Sequence, residues 1–346
     1  MREQRECIKR GASRGICTIN SARQDWIVCP YRALDPQLLQ NAVRRLFAID
    51  DARSLMVVPA PTLEKETVRS EVGRTLAAGG AVVAYLQDKL GGEVSVARTE
   101  RSPELSFDVT LVEILEEVPG TCAIGRYGIL EVQTMDFHGS YRAVVKNLAD
   151  ALRLHGDRFA ESLQDNQGWL SQEIEGPNIA NVFKRTFYQM ILKFRIGAHP
   201  PCVGCIMAIQ TSVWGSWQRH LGKPDLVPRK DGTFALREGD VGDEQPPAWI
   251  YVFDTDGSGG ATPAPIAVQK VIATDAESIA HYALKVVPDA VIAAGGAVDA
   301  VLAGIRQRMV RWWPQIDISR FDAGSLSGAS LGAALAADRK LPGPVS

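Results

Sequence analysis

The chain has 346 residues, 46% of them hydrophobic and 23% charged, with a net charge of −2. Such a length and apolar content suit a large buried core and exclude a disordered or collagen-like chain. The near-neutral balance excludes a protein coated in lysine and arginine that grips nucleic acid without discrimination. It leaves room for a local basic cleft offset by acidic residues elsewhere.

The opening residues, MREQRECIKRGASRG, are polar and charged and lack the apolar stretch of a signal peptide. No run approaches the roughly 20 apolar residues of a membrane span, so a cytoplasmic protein without membrane attachment is expected. Six cysteines in such a chain are expected to be free, buried or metal-bound rather than disulfide-paired. Cys7, Cys17 and Cys29 are spaced too widely for a compact zinc motif, and the spacing by itself favours buried or incidental thiols. Pro36 to Phe47 reads as a helix. So does Thr62 to Ala78, with Pro59 and Pro61 before it and Gly79-Gly80 stopping it.

Four strand candidates follow: AVVAYLQ, GGEVSVAR with alternating valines, FDVTLVEIL and GILEVQT. The last carries a carboxylate and an amide inside an apolar run. Side chains alternate along a strand, so Glu131 and Gln133 share one face while Leu130 and Val132 share the other. Asp108 opens the preceding run, and a turn near Pro119-Gly120 brings it beside them. Asp, then Glu-x-Gln, suits a divalent metal that cleaves a phosphodiester. Carboxylate oxygens hold a hard cation such as magnesium, which neutralises the incoming and departing oxygens. The spacing is equally that of two surface carboxylates flanking a hairpin. Asp88, Glu93 and Glu104 lie near strand ends, as solvated carboxylates or as outer neighbours of a metal.

Ser140 caps a helix to about Leu154, and a second helix runs from near Pro177 to about Ile196. The second carries a core stripe of Val182, Phe183, Phe187, Met190, Ile191 and Phe194. Its other side holds Lys184, Arg185, Gln189 and Lys193, a solvated face that, opposite a cleft, can meet phosphates or guanine edges. Arg219 and His220 carry the same two readings. CVGC at Cys202–Cys205 superficially resembles a metal knuckle, but with no second CxxC it reads as part of the apolar strand VGCIMAI. Cys122 sits by the turn between the strands and has no metal role. Gly222 to Pro247 reads as a loop or hairpin insertion, AWIYVFD as a strand, Ala276–Val287 and Val298–Trp312 as helices, and the chain beyond Pro314 as a flexible tail. No Walker loop or dinucleotide fingerprint appears, which removes ATP-driven nucleases.

The segments SPELSFD (Ser102–Asp108), EVQTMDFHGSY (Glu131–Tyr141) and NVFKRTFYQM (Asn181–Met190) resemble the NotI-like type II restriction endonucleases of the PD-(D/E)xK superfamily. RGICTIN (Arg14–Asn20), DWIVCPYRALDP (Asp25–Pro36) and QDKLGGEVS (Gln87–Ser95) do so too, with weaker matches reaching Trp313 and Pro314.

The resemblance implies an α/β fold, a mixed central sheet flanked by helices, with a cysteine metal-binding module at 1–58, a nuclease and DNA-recognition core at 59–314 and a tail at 315–346. It implies that Asp108 and Glu131 hold catalytic Mg2+, joined by the carbonyl of Val132, and that Gln133 aligns the hydrolytic water where the motif usually has lysine. It further implies that Cys7, Cys17 and Cys29 ligate a structural iron, with zinc as the alternative. The family's remaining cysteine lies upstream of Met1; a misplaced or truncated start is the expected reason, and a water or another side chain completing the shell is the alternative. His138, in the shared FHGSY segment, is either a general base or a histidine bonded to the backbone beside the site. The expected activity is cleavage of double-stranded DNA at a long GC-rich palindrome by a homodimer, within a restriction system paired with a cognate DNA methyltransferase. The alternatives are a repair or structure-selective nuclease, and a catalytically inactive or iron-linked DNA-binding or redox-sensing protein.

Overall fold

In the computed structural model of the chain the described residues are 18–21, 24–118, 120–135, 137–139, 141–171, 174–177, 179–236, 245–256, 265–293 and 296–317. Two compact units divide after Tyr282, Met1–Tyr282 and Ala283–Ser346. The first is a mixed α/β unit built on a nine-stranded sheet flanked by helices.

The strands of that sheet are β1 (Leu55–Pro59), β2 (Ala81–Gln87), β3 (Val109–Val118), β4 (Thr121–Gln133), β5 (Cys202–Gln210), β6 (Val227–Pro228), β7 (Phe234–Ala235), β8 (Ala248–Thr255) and β9 (Ile266–Thr274). Their spatial order is β6-β7-β9-β8-β5-β4-β3-β2-β1. β3 and β4 form an antiparallel hairpin, and Gly120 at φ +82 supplies the left-handed turn residue. β4, β5 and β8 are parallel neighbours. Parallel strands need crossover connections. Helix α2 (Ile179–Gly197) lies in the first crossover and α3 (Thr211–His220) in the second.

The sheet buries both faces. On one, Leu130, Val132, Ile206, Ala208, Trp249 and Tyr251 pack against α1 (Pro36–Phe47). Helix α1 buries Leu38, Leu39, Ala42, Val43, Leu46 and Phe47, a stripe at helical spacing. Asp35 fixes its start by accepting the Gln37 N–H at 2.9 Å, with Pro36 at the first position. On the other face α2 presses Val182, Phe183, Met190 and Phe194 inward. Gly197 makes the close approach possible, because a Cβ there would stand 2.8 Å from the Pro247 carbonyl oxygen and 3.0 Å from the Cys205 nitrogen.

Several expected elements differ. Thr62–Ala78 is a short turn of helix at Ala60–Glu64 followed by a helix at Glu66–Ala77, with only Val72 of the latter buried. GGEVSVAR does not join the main sheet. Gly91 and Gly92, at φ +95 and +86, turn the chain away, and Val94–Val96 pairs with Leu105–Phe107 in a separate ribbon. The strand β9 pairs antiparallel with β8 and went unassigned in the sequence. Ala276–Val287 begins as a helix at Ala276–His281 and then widens into a π-type segment at Tyr282–Val286. In the second unit the helix expected at Val298–Trp312 spans Gly296–Trp312.

Candidate metal and phosphodiester site

Asp108 occupies the bend between the ribbon strand Leu105–Phe107 and β3, one residue before Val109 pairs with Leu130. That register sets Asp108 beside Glu131, and the two close a reciprocal brace. The Asp108 N–H donates to Glu131 Oε1 at 3.1 Å, and the Val132 N–H donates to Asp108 Oδ2 at 2.9 Å. Each carboxylate thus spends one oxygen on the other strand's backbone, which fixes both without long flexible contacts.

Alternation sends Leu130 and Val132 to the α1 face and Glu131 to the α2 face. Asp108, Glu131, Gln133 and Thr134 line a cleft of about 240 Å³ with Arg185 and Gln189 of α2. The Gln133 amide donates to the Thr134 carbonyl at 2.7 Å, so its Nε2 is tied to its own strand. Beyond Asp108 lies a smaller recess of about 140 Å³ with Asp88 and Glu93 in its wall. Partial burial pushes the Glu93 carboxyl up, and the charges of Asp108 and Asp88 add to the shift. Asp88 accepts from Tyr31 Oη at 2.8 Å and pairs with Lys89 at 2.9 Å. Glu104 is exposed.

Lys193 corrects the sequence reading of α2. Expected on the solvated side, it is buried, and its ammonium donates to Glu131 Oε2. The side chains of the pair are 4% and 5% exposed. Burial drives the Glu131 carboxyl up, the charge of Asp108 adds to the rise, and Lys193 opposes it. A signal for this placement was present in the sequence: Lys193 follows Thr186 by seven residues and Met190 by three, the spacing of one helix face, and both are buried.

Asp108, in the bend before β3, and Glu131, on β4, line one cleft with the oxygen donors that a hard cation such as magnesium takes while keeping several waters. Both Glu131 oxygens are already engaged, Oε1 by the Asp108 N–H and Oε2 by Lys193. Among the described residues no group of three or more His, Cys, Asp or Glu is placed to hold a metal by itself. Cys7 and Cys17 lie outside the described residues. Cys29 is buried and free, as are Cys202 and Cys205, while Cys122 is exposed. Burial pushes the Cys205 thiol well up, with Glu131 adding to it, which suits a neutral core residue.

The segment carrying Cys29 is fastened to the exit of β4. The Met135 N–H donates to the Ile27 carbonyl at 3.0 Å, and the Ile27 N–H donates to Gln210 Oε1 at 3.2 Å. The backbone of His138 pairs with Gly176 in a short ribbon, and its side chain lies outside the described set. Lys184 and Arg185 are exposed on α2, and His220 stacks on Phe183 with ring centroids 4.8 Å apart and planes 3° from parallel. Among the described residues no helix is long and apolar enough to cross a membrane.

No family model and no curated protein matches the chain.

Proposed function

We propose that the chain is a magnesium-dependent type II restriction endonuclease of the PD-(D/E)xK kind, cutting both strands of a GC-rich palindrome as a homodimer alongside a cognate methyltransferase. One observation carries the reading: Asp108 and Glu131, 23 residues apart in sequence, interlock on neighbouring strands and open into one cleft beside the basic face of α2. Asp108 and Glu131 would hold the cation, with the Val132 carbonyl as a third oxygen. When bound, magnesium neutralises the phosphate and lowers the pKa of a bound water. The Gln133 amide, which carries no charge and cannot act as a general acid, orients water by hydrogen bonding. In the net reaction the water oxygen bonds to phosphorus, the P–O ester bond breaks, and the departing oxygen takes a proton, leaving a phosphomonoester and a hydroxyl.

Overall charge is close to neutral, so attraction to DNA is local. Arg185 of α2 lines the cleft, Lys184 is exposed beside it in sequence, and Arg219 lies in the last turn of α3. These are the groups suited to phosphates or to guanine O6 and N7. A cysteine-bound iron, or zinc, in the N-terminal segment is a structural proposal, supported by the resemblance and by the anchorage of Ile27 beside the catalytic strand.

The test is plasmid cleavage by the parent, D108N and E131A in magnesium and in EDTA, with DNA binding measured in calcium. Cutting confined to the parent in magnesium, with binding kept by both variants, supports the reading. Full cutting by E131A rules it out.

A further inference from the structure

In the motif that Asp108 and Glu131 resemble, a lysine follows the glutamate by two residues; this chain has Gln133 there, with its amide engaged by the Thr134 carbonyl. A cation nevertheless reaches the carboxylate. The ammonium of Lys193 arrives from the facing helix α2 and binds Glu131 Oε2, while Oε1 takes the Asp108 N–H. Met190 and Phe194, both fully buried, flank it, and Gly197 seats the next turn against β5. An ion pair this deep is weak as a stabilising device, because desolvation of two charges offsets most of their attraction. Its placement at the one carboxylate pair that lines the cleft is better explained by the chemistry of that cleft.

We infer that Lys193 is a positioning residue of the nuclease site, supplying from helix α2 the fixed positive charge that the motif otherwise draws from the strand position of Gln133. It holds Glu131 by Oε2 while the Asp108 N–H holds Oε1, so the carboxylate is fixed from both sides next to Asp108. Its ammonium is itself buried and outside the lining of the cleft, so its charge acts on the site through Glu131. Strand alternation puts residue 133 on the same face as Glu131, so a lysine there and the lysine at 193 approach one carboxylate from two elements. The inference rests on the nuclease reading.

The experiment uses the full chain as K193M, Q133K and the double variant K193M/Q133K. Single-turnover cleavage in magnesium, DNA affinity in calcium, and thermal midpoint are measured for each. K193M is expected to lose on the order of 100-fold or more in cleavage rate, the scale of removing one preorganised charge-stabilising donor, with DNA affinity changed less than about threefold. Q133K in the K193M background is expected to restore at least about tenfold of that loss. K193M lowers the midpoint in either case; a purely structural lysine predicts that Q133K restores no cleavage rate, and this result overturns the inference. So does K193M cutting at the parental rate.

A second arm does not depend on cutting. Selective 15N-lysine NMR of the metal-free protein should show a protected Nζ–H signal that is absent in K193M and lost in E131Q. It should persist when magnesium is added. Loss of the signal on adding magnesium would mean that the ammonium merely holds the cation's place, which contradicts the positioning role. If the parent cuts no DNA, the nuclease reading fails on its own, and this arm still decides whether Lys193 stays on Glu131 beside the cation.

Discussion

Glu131 on β4 and Lys193 on α2, 62 residues apart in sequence, meet as a buried ion pair that ties the central sheet to the helix on its face. The contact joins the folding of the unit to the chemistry proposed for it. The same lysine that closes the sheet–helix interface touches the carboxylate best suited to a cation.

Breaking that pair from one side leaves a charge without a partner inside the protein. K193M is expected to lower stability by about 3 kcal/mol, in the range seen when one member of a buried pair is removed, whereas replacing both members is close to neutral. Urea unfolding of K193M, E131Q and K193M/E131Q checks this. The double variant should be more stable than K193M alone, and additive losses would contradict the coupling.

Gly197→Ala tests the helix seat. The new Cβ would meet backbone atoms, the Pro247 carbonyl oxygen and the Cys205 nitrogen, and backbone cannot rotate aside. Overpacking of this kind costs about 1–3 kcal/mol. A lower thermal midpoint is expected, together with slower cleavage as Lys193 shifts on Glu131. An unchanged midpoint would mean that α2 does not lie as close to β5 and Pro247 as described.

His220 gives a pH dependence. Partial burial against Phe183, then the charges of Lys184 and Arg219, hold its imidazole below the ordinary histidine value. The folded state therefore favours the neutral ring. Its contribution is fully present above the unfolded pKa near 6.5 and is lost as pH falls below that toward the folded value. The ring is largely solvent-screened, so the effect is small. Thermal midpoints measured from pH 7.5 down to 5 should fall less steeply in His220→Gln than in the parent. Identical slopes would contradict the shift.

Much of the site was legible before the structure. The alternation of GILEVQT and the turn at Pro119-Gly120 set Asp108 beside Glu131, and the helix read from Pro36 to Phe47 is α1 with those bounds. Of the features that were not read, three have plain physical reasons. Lys193 was assigned to solvent because a lone charge is normally paid for by water, yet the turn-by-turn spacing from Thr186 and Met190 put it on the inward face. The valines of Val94–Val96 alternate as a sheet strand does, but alternation does not say which sheet, and two glycines with positive φ redirected the chain. β9 carries Gln269 and Lys270 at its middle, which blurs the apolar pattern that its pairing with β8 requires.

The central claim is that Asp108 and Glu131 place a divalent cation on a scissile phosphodiester in a defined DNA sequence. The most direct measurement is to incubate the full chain with a large GC-rich DNA in magnesium, with D108N in parallel, and to sequence every fragment end. The account predicts discrete ends that share one palindromic GC-rich sequence, produced only by the parent and stopped by EDTA. Intact DNA with the parent, ends scattered without a common sequence, or the same ends from D108N would contradict it.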